Sequence, residues 1–296
     1  MKPSLLLIFP IAAGLLYGQT LDEGVAALEA GRLDDAARIL RRVLVQDGNS
    51  FEANFYLGLT HYRAGRPAAA RPLLERATAL SPANAQAWKM LGLVATSDGR
   101  LEAAVQALGK ACDLAPSDEE SCYYLARDLY ALGHYESARA PFDKALRAAP
   151  KAMLGRVHRA IALNFAAMGV PAEAEAYFLK AIAAGAAARD SEDPRIDYGA
   201  FLFRQGRTDE ALGPLQQAAR ANPQSARANL ERGRVLLHTD KFADAAASLE
   251  RAVSLEPGNA NAHLLLGRAY LRLGRTAEGE REMRLGQDGW EKSRTP

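Results

Sequence analysis

The sequence of 296 residues predicts an all-α fold made of repeated pairs of antiparallel helices. Small residues recur about every 34 positions, and a fixed period of this length is typical of stacked helical repeats. Aromatic residues make up only 7% of the chain. That composition argues against a β-sandwich, because aromatic and β-branched side chains fill its pleated surfaces. We therefore expect helices to dominate.

The N-terminal residues have the composition of a secretory signal. Lys2 precedes an apolar run from Leu5 to Leu16. A helix over this run would be about 18 Å long, well short of the roughly 30 Å hydrocarbon core of a bilayer. Because Gly18 favours cleavage beside it, we expect residues 1–19 to be a signal peptide and the mature protein to be periplasmic or secreted. The alternative is an uncleaved anchor or a buried first helix, and only an unprocessed segment of this kind would contact a membrane.

The first helix of each repeat is marked by a small residue in its middle and by a turn residue seven positions later. The turn residue suits the left-handed conformation that ends a helix, which glycine adopts without a steric cost. The small residues are Gly24, Gly58, Gly92, Ala126, Ala162, Gly199, Gly233 and Gly267. The turn residues are Gly31, Gly65, Gly99, Gly133, Gly169, Gly206, Asp240 and Gly274.

The second helix of each repeat carries small residues on one face and is often followed by proline. Five residues after each turn residue stand Ala36, Ala70, Ala104, Ala138, Ala174, Ala211, Ala245 and Gly279. A further small residue follows two helical turns later on the same face. Five copies then reach proline, which cannot continue a helix, at Pro82, Pro116, Pro150, Pro223 and Pro257. The unit is therefore helix, turn, helix, turn.

The order of these residues resembles the tetratricopeptide repeat. The third copy shows it best, with Trp88, Leu91, Gly92, Gly99, Ala104, Leu108, Ala111 and Pro116. The resemblance implies a right-handed superhelical solenoid of stacked antiparallel helix pairs. We expect a single solenoid over residues 20–293 followed by a tail at 294–296. Its predicted copies span residues 17–50, 51–84, 85–118, 119–152, 155–188, 192–225, 226–259 and 260–293.

The sequence favours binding over catalysis. It contains no phosphate loop, dinucleotide fingerprint, nucleophile elbow or zinc-binding H-E-x-x-H helix. The net charge of +2 gives no electrostatic reason to expect a nucleic-acid partner. An acidic cluster lacks the spacing and the glycine of a Ca²⁺ loop, so we interpret it as a solvated loop between copies. Its members are Asp190, Glu192, Asp193 and Asp197. We expect no catalytic residues, no metal and no small-molecule cofactor.

The two cysteines lie ten residues apart, with Cys112 near the end of a second helix and Cys122 in the following first helix. The resemblance places both at inward-facing positions. In an oxidising compartment they could form a disulfide. Two buried free thiols are the alternative, because the sequence does not give the separation of the two Cα atoms.

The resemblance also implies a concave groove lined by the first helices, at residues two, five, nine, twelve and thirteen of each copy. In the second to fourth copies these positions hold Phe55, Leu59, Tyr62, Arg63, Lys89, Leu93, Tyr123, Arg127 and Tyr130. In the C-terminal copies they hold Phe203, Arg204, Arg227, Arg234, Arg268 and Arg272. Such a groove suits a peptide with hydrophobic anchors and acidic groups. The alternative is that several aromatic rings only pack against a neighbouring copy and that the arginines are solvated surface.

These observations predict a noncatalytic scaffold that binds a protein or peptide in its groove and assists the assembly of envelope or secreted complexes. An accessory subunit of an enzyme complex is the alternative. The chaperone-binding clamp known in some members of the family is not expected, because none of the eight positions for its asparagine holds one. Those positions are Val25, Leu59, Leu93, Arg127, Leu163, Ala200, Arg234 and Arg268.

Overall fold

The structure, a computed structural model, describes residues 11–185 and 193–294, and it describes side chains over 20–185 and 193–291. Within these ranges the regular structure is helical, with sixteen α-helices, one short 3₁₀ helix and no strand. The chain forms two compact units, Met1–Ala149 and Pro150–Pro296. Within each unit, the predicted all-α fold of antiparallel helix pairs is confirmed.

The helices of the N-terminal unit are α1 Ile11–Glu29, α2 Leu33–Gln46, α3 Phe51–Arg63, α4 Pro67–Leu80, α5 Ala85–Ser97, α6 Leu101–Leu114, α7 Glu119–Ala131 and α8 Tyr135–Ala148. Those of the C-terminal unit are α9 Leu154–Ala167, α10 Pro171–Ala183, α11 Pro194–Arg204, α12 Thr208–Ala221, α13 Ala226–His238, α14 Phe242–Leu255, α15 Ala260–Arg272 and α16 Thr276–Arg294. The 3₁₀ helix is Lys151–Met153. Odd-numbered helices are the first helices of the pairs, and even-numbered helices are the second.

The turn within each pair has the predicted left-handed backbone. The seven predicted glycines adopt φ angles between 69° and 77°, and Asp240 adopts 57°. At the start of several first helices, a capping side chain accepts a hydrogen bond from a backbone N–H group that has no partner within the helix. Ser50, Asn84, Ser225 and Asn259 each accept a hydrogen bond from the backbone N–H three residues later. Short polar caps and turn residues therefore set the length of these helices.

Each unit has its own apolar core between the first and second helices. In the N-terminal unit, Leu40, Leu74, Leu108 and Phe142 of the second helices are almost fully buried. The core of the C-terminal unit includes Phe178, Phe201, Leu215 and Leu249, and the rings of Phe178 and Phe201 lie 5.4 Å apart. Burying one such side chain contributes about 1.5–3 kcal/mol relative to its exposure. Apolar side chains buried within pairs and between successive pairs therefore stabilise each unit.

Cys112 and Cys122 form a disulfide. Their Sγ atoms are 2.01 Å apart and their Cα atoms 4.9 Å apart, and the bond joins α6 to α7. Of the two alternatives that the sequence leaves open, the structure contains the bonded one. The bond links the second helix of one pair to the first helix of the next.

The predicted signal peptide lies partly outside the described residues. Residues 1–10 are not described, and α1 begins at Ile11, before the predicted first copy. Ala27 and Leu28 near the end of α1 are buried. Among the helices that the structure describes, none is both long enough and apolar enough to cross a bilayer.

Candidate functional site

The fifth residue of a first helix is buried in three copies where we predicted a groove contact. Phe55, Lys89 and Tyr123 are only 8%, 8% and 5% exposed. The ring of Tyr123 lies 6.4 Å from that of Phe142, and the ring of Phe55 lies 5.8 Å from that of Phe51. Neighbouring side chains therefore cover these three residues, and a ligand contact at them stays a prediction.

Lys89 has a structural role instead. Its Nζ atom lies 3.2 Å from a carboxylate oxygen of Asp118 and 3.2 Å from one of Glu120, both at the start of the next helix pair. Burial lowers the pKa of Lys89, but the two carboxylates outweigh this effect and hold that pKa above its usual value. The ammonium group therefore remains charged and ties α5 to α7.

Residues nine and twelve of the first helices are more accessible. Leu59, Tyr62, Leu93, Arg127 and Tyr130 are all partly exposed. Leu59 and Leu93 also pack at the edge of the core of the N-terminal unit, and the ring of Tyr130 lies 5.4 Å from that of Tyr135. These residues support the core and present part of their surface to solvent at the same time.

Tyr62, Tyr124 and Arg127 form a cluster that we call the tyrosine patch. The Arg127 guanidinium lies 4.9 Å from the centre of the Tyr124 ring. Burial raises the pKa of Tyr62, the interaction with Tyr124 raises it further, and Arg127 acts in the opposite direction. The sequence-based prediction chose Tyr123 and missed Tyr124. The pair of adjacent tyrosines was a visible signal, but only the helix rotation decides which ring remains accessible.

A buried carboxylate lies next to the tyrosine patch. Asp128 follows Arg127 on α7, and the hydroxyl of Thr96 on α5 donates a hydrogen bond to it over 2.5 Å. Burial raises the pKa of Asp128, while the Thr96 hydrogen bond and Arg127 oppose the shift. The Thr96–Asp128 contact connects two neighbouring first helices and fixes the base of the patch.

The C-terminal unit contains a cavity of ≈ 430 Å³ between three first helices, which we call the arginine cavity. Four of its lining residues, Phe203, Arg234, Arg268 and Arg272, are residues that the sequence predicted to face a groove. They come from α11, α13 and α15. The remaining lining residues are Leu237, His238, Asp240 and Leu265. The lining of the cavity therefore combines basic side chains with apolar ones.

The arginines of this cavity differ in their partners. The Arg234 Nη1 atom lies 2.9 Å from a carboxylate oxygen of Glu231. The Arg272 Nη2 atom lies 3.3 Å from Oδ1 of Asp240, and its guanidinium lies 4.4 Å from the centre of the Phe242 ring. Arg268 is exposed, and no carboxylate in the described part of the chain lies within ion-pair distance of it. One basic group of the cavity is thus left without an internal counter-charge.

The other basic positions lie outside this cavity. Arg227 forms an ion pair with Asp197, and the Arg159 Nε atom lies 2.5 Å from the same carboxylate. Arg63 and Arg204 are exposed near the ends of α3 and α11. Arg227 thus forms an ion pair between first helices while its side chain is 37% exposed, and its predicted groove contact stays a prediction.

The acidic cluster that the sequence singles out is only partly described. Asp190 and Glu192 lie outside the described residues. Asp193 caps α11 by accepting a hydrogen bond from the Arg195 amide, and Asp197 is held by its two arginines. Over residues 11–185 and 193–294, no three histidine, cysteine or acidic side chains come together as a metal site.

Comparison with known proteins identifies relatives of the fold and of the repeat. A family model described as Tetratricopeptide repeat matches residues 21–77, 57–119 and 202–247, and a second model with that description matches 236–287. A crystal structure of MamA is 27% identical, with a TM-score of 0.55 over 58% of this chain and 92% of that one. The MamA MSR-1 structure is 30% identical, with a TM-score of 0.52 over 57% and 97%.

A more distant structure covers more of the chain. The APC/C hetero-tetramer Cut9-Hcn1 is 15% identical, with a TM-score of 0.61 over 83% of this chain and 48% of that one. At this identity the likeness concerns the fold alone. No curated protein matches the chain.

Proposed function

Because this chain belongs to the tetratricopeptide-repeat family, we propose that it is a noncatalytic scaffold that binds a segment of a partner protein on its first helices. The observation that carries this proposal is the arginine cavity, where side chains from three successive first helices converge on one concave site. A concave face built from successive repeats is the usual binding surface of a solenoid.

The chemistry of the arginine cavity supports recognition rather than catalysis. His238 packs edge-on against Phe203 with ring centres 5.2 Å apart, and Asp240 is engaged by Arg272. Neither group is arranged with a nucleophile in the way that a catalytic pair requires. Arginine and aromatic side chains beside an apolar floor are instead typical of the residues that dominate binding energy at protein interfaces.

We further propose that the protein is exported and acts in the assembly of envelope or secreted complexes. The signal-like segment at the N-terminus supports export. The disulfide between Cys112 and Cys122 is consistent with it, because such bonds persist in oxidising compartments and are rare in the cytosol.

A capture experiment with matched variants tests the scaffold function. The full chain, the double variant Arg234→Ala and Arg268→Ala, and the control Arg281→Ala and Arg284→Ala are immobilised separately. The control removes the same two charges from exposed positions on α16. Extracts of the native host should yield a partner with the unaltered chain and the control but not with the cavity variant. Identical capture by all three proteins would overturn the proposed site.

A further inference from the structure

The turn between α13 and α14, beside the arginine cavity, holds Asp240 where every other predicted turn holds glycine, and this raises the conformational energy of the turn. At φ 57°, Asp240 is the only residue other than glycine with a positive φ in the described chain. A side chain disfavours this conformation, although aspartate tolerates it better than most residues. Strained residues of this kind cluster at functional sites. Here the strained residue is itself part of the cavity lining.

The side chain of Asp240 helps to position a basic group. Its carboxylate lies 3.3 Å from Arg272 Nη2, while the face of Phe242 lies under the same guanidinium. A glycine at this turn would remove the strain but also the carboxylate. The residue therefore fits a role in holding Arg272 at the rim of the cavity.

The charges of the arginine cavity leave room for one further carboxylate. Glu231 offsets Arg234 and Asp240 offsets Arg272, whereas Arg268 has no acidic partner in the part of the chain that the structure describes. Guanidinium groups bind planar carboxylates through paired hydrogen bonds. A single incoming carboxylate would thus complete the pairing of the three arginines.

The apolar part of the site lies beside these charges. Phe203, Leu237 and Leu265 line the arginine cavity, and a smaller cavity of ≈ 180 Å³ adjoins it through Leu237, Arg268 and Arg272. The smaller cavity adds Phe242 and Leu271, and Leu271 is 41% exposed. A large apolar side chain of a partner protein, bound in the smaller cavity, would bury Leu271. The adjacent residue of the partner would then reach Arg268.

We propose that the arginine cavity binds an aspartate or glutamate side chain of a partner protein together with an adjacent large apolar residue. This inference rests on the proposed scaffold function and specifies the chemistry of its ligand. Arg268 receives the carboxylate, Arg272 is held ready by Asp240, and the apolar neighbour packs on Phe242 and Leu271.

A peptide library tests this proposal directly. The probe is a mixture of random hexapeptides that are acetylated and amidated, so that side chains supply every carboxylate. The full chain, Arg268→Gln and the control Arg281→Gln are each used to select peptides. The unaltered chain and the control should enrich peptides that pair an acidic residue with leucine, isoleucine, phenylalanine or methionine. Because Arg268→Gln removes the charge-assisted hydrogen bonds to the carboxylate, it should weaken binding of the best of these peptides about tenfold or more.

A second variant tests the proposal without changing Arg268. Asp240→Gly removes the carboxylate that holds Arg272 at the rim of the cavity, so the selected acidic peptide should bind more weakly than it binds to the unaltered chain. Equal or tighter binding would contradict the positioning role assigned to Asp240.

The outcomes separate this inference from the scaffold function. Enriched peptides without an acidic preference, or with one that survives Arg268→Gln, would overturn the inference and leave the scaffold function standing. If no peptide is enriched over a matrix without protein, the inference and the proposed peptide-binding site both fail. Exposed Arg268 can be replaced without disturbing the core, and an unchanged melting curve would verify that the variant is folded.

Discussion

A Cβ atom at Gly92 would lie 2.5 Å from Cγ of Leu108, which stands sixteen residues later on the second helix of the same pair. The same relationship joins Gly58 to Leu74 and Gly233 to Leu249, at 2.7 and 2.6 Å. Non-bonded carbon atoms in proteins essentially never approach this closely. The recurring glycine therefore allows the leucine side chain to pack directly on the backbone of the first helix.

We predict that Gly92→Ala lowers the free energy of unfolding by about 1–3 kcal/mol, because the added methyl group overpacks the seam against Leu108. The control is Gly109→Ala on α6, where an added Cβ meets nothing within 4 Å. Removing a glycine from that helix interior should stabilise the protein by about 0.5–1 kcal/mol. Urea unfolding of both variants measures the difference, and equal effects would mean that the contact between the helices is wrongly placed.

Asp240→Gly should raise the free energy of unfolding by about 0.5–1 kcal/mol, because glycine adopts the positive φ of this turn without a steric cost. The exposed ion pair with Arg272 that is lost contributes little in water. The reverse change, Gly274→Asp, introduces the same side chain at a turn with φ 76° and should destabilise the protein. Thermal unfolding compares the two variants, and a loss of stability in Asp240→Gly would contradict the strain at this residue.

Reduction of the disulfide between Cys112 and Cys122 should cost about 2–3 kcal/mol, because the bond restricts a short loop of the unfolded chain. Unfolding by urea with and without dithiothreitol measures this cost. The double variant Cys112→Ala and Cys122→Ala serves as the control and should not respond to the reductant. An unaltered chain that is equally stable in both conditions would show that the bond contributes nothing.

His61 should make the protein less stable in mild acid. Burial lowers the pKa of His61, and the positive charges of Arg41 and Arg66 lower it further. The unfolded chain then binds more protons than the folded one, so stability decreases as the pH falls through about 6.5. His61→Leu should reduce this decrease, and it also removes a buried Nδ1 atom that has no hydrogen-bond partner. A pH dependence of stability that is the same in His61→Leu as in the unaltered chain would refute the prediction.

The helix turns could be predicted from the sequence because glycine and proline act locally. Gly99 and Gly133 end their helices through their own backbone conformation, whatever the neighbouring pairs contribute. The accessibility of the predicted groove residues was harder to predict. Lys89 and Arg127 are both plausible groove residues by helical position, but only Lys89 is covered by carboxylates of the next pair. The contact between Lys89 and these carboxylates is a tertiary contact, which the repeat pattern does not encode.

Four of the eight residues that line the arginine cavity were predicted from the sequence as groove residues, but the pairing of their charges was not. Phe203 and Arg268 are far apart in the sequence, at positions twelve and nine of their copies, and the repeat places their helices α11 and α15 on either side of α13. The pattern gives no sign that Asp240 rather than a ligand engages Arg272, or that Asp197 engages Arg227. Such pairings depend on side-chain rotamers and on the separation of neighbouring helices.

The most direct test of the scaffold function is photo-crosslinking in the native host. The photoreactive amino acid p-benzoylphenylalanine replaces Arg272 at the arginine cavity in one full-length protein and Arg281 on α16 in a second. We predict a discrete covalent adduct with a partner protein from position 272 and none of that size from position 281. Adducts of equal yield at both positions, or an adduct at 281 alone, would contradict binding at the arginine cavity.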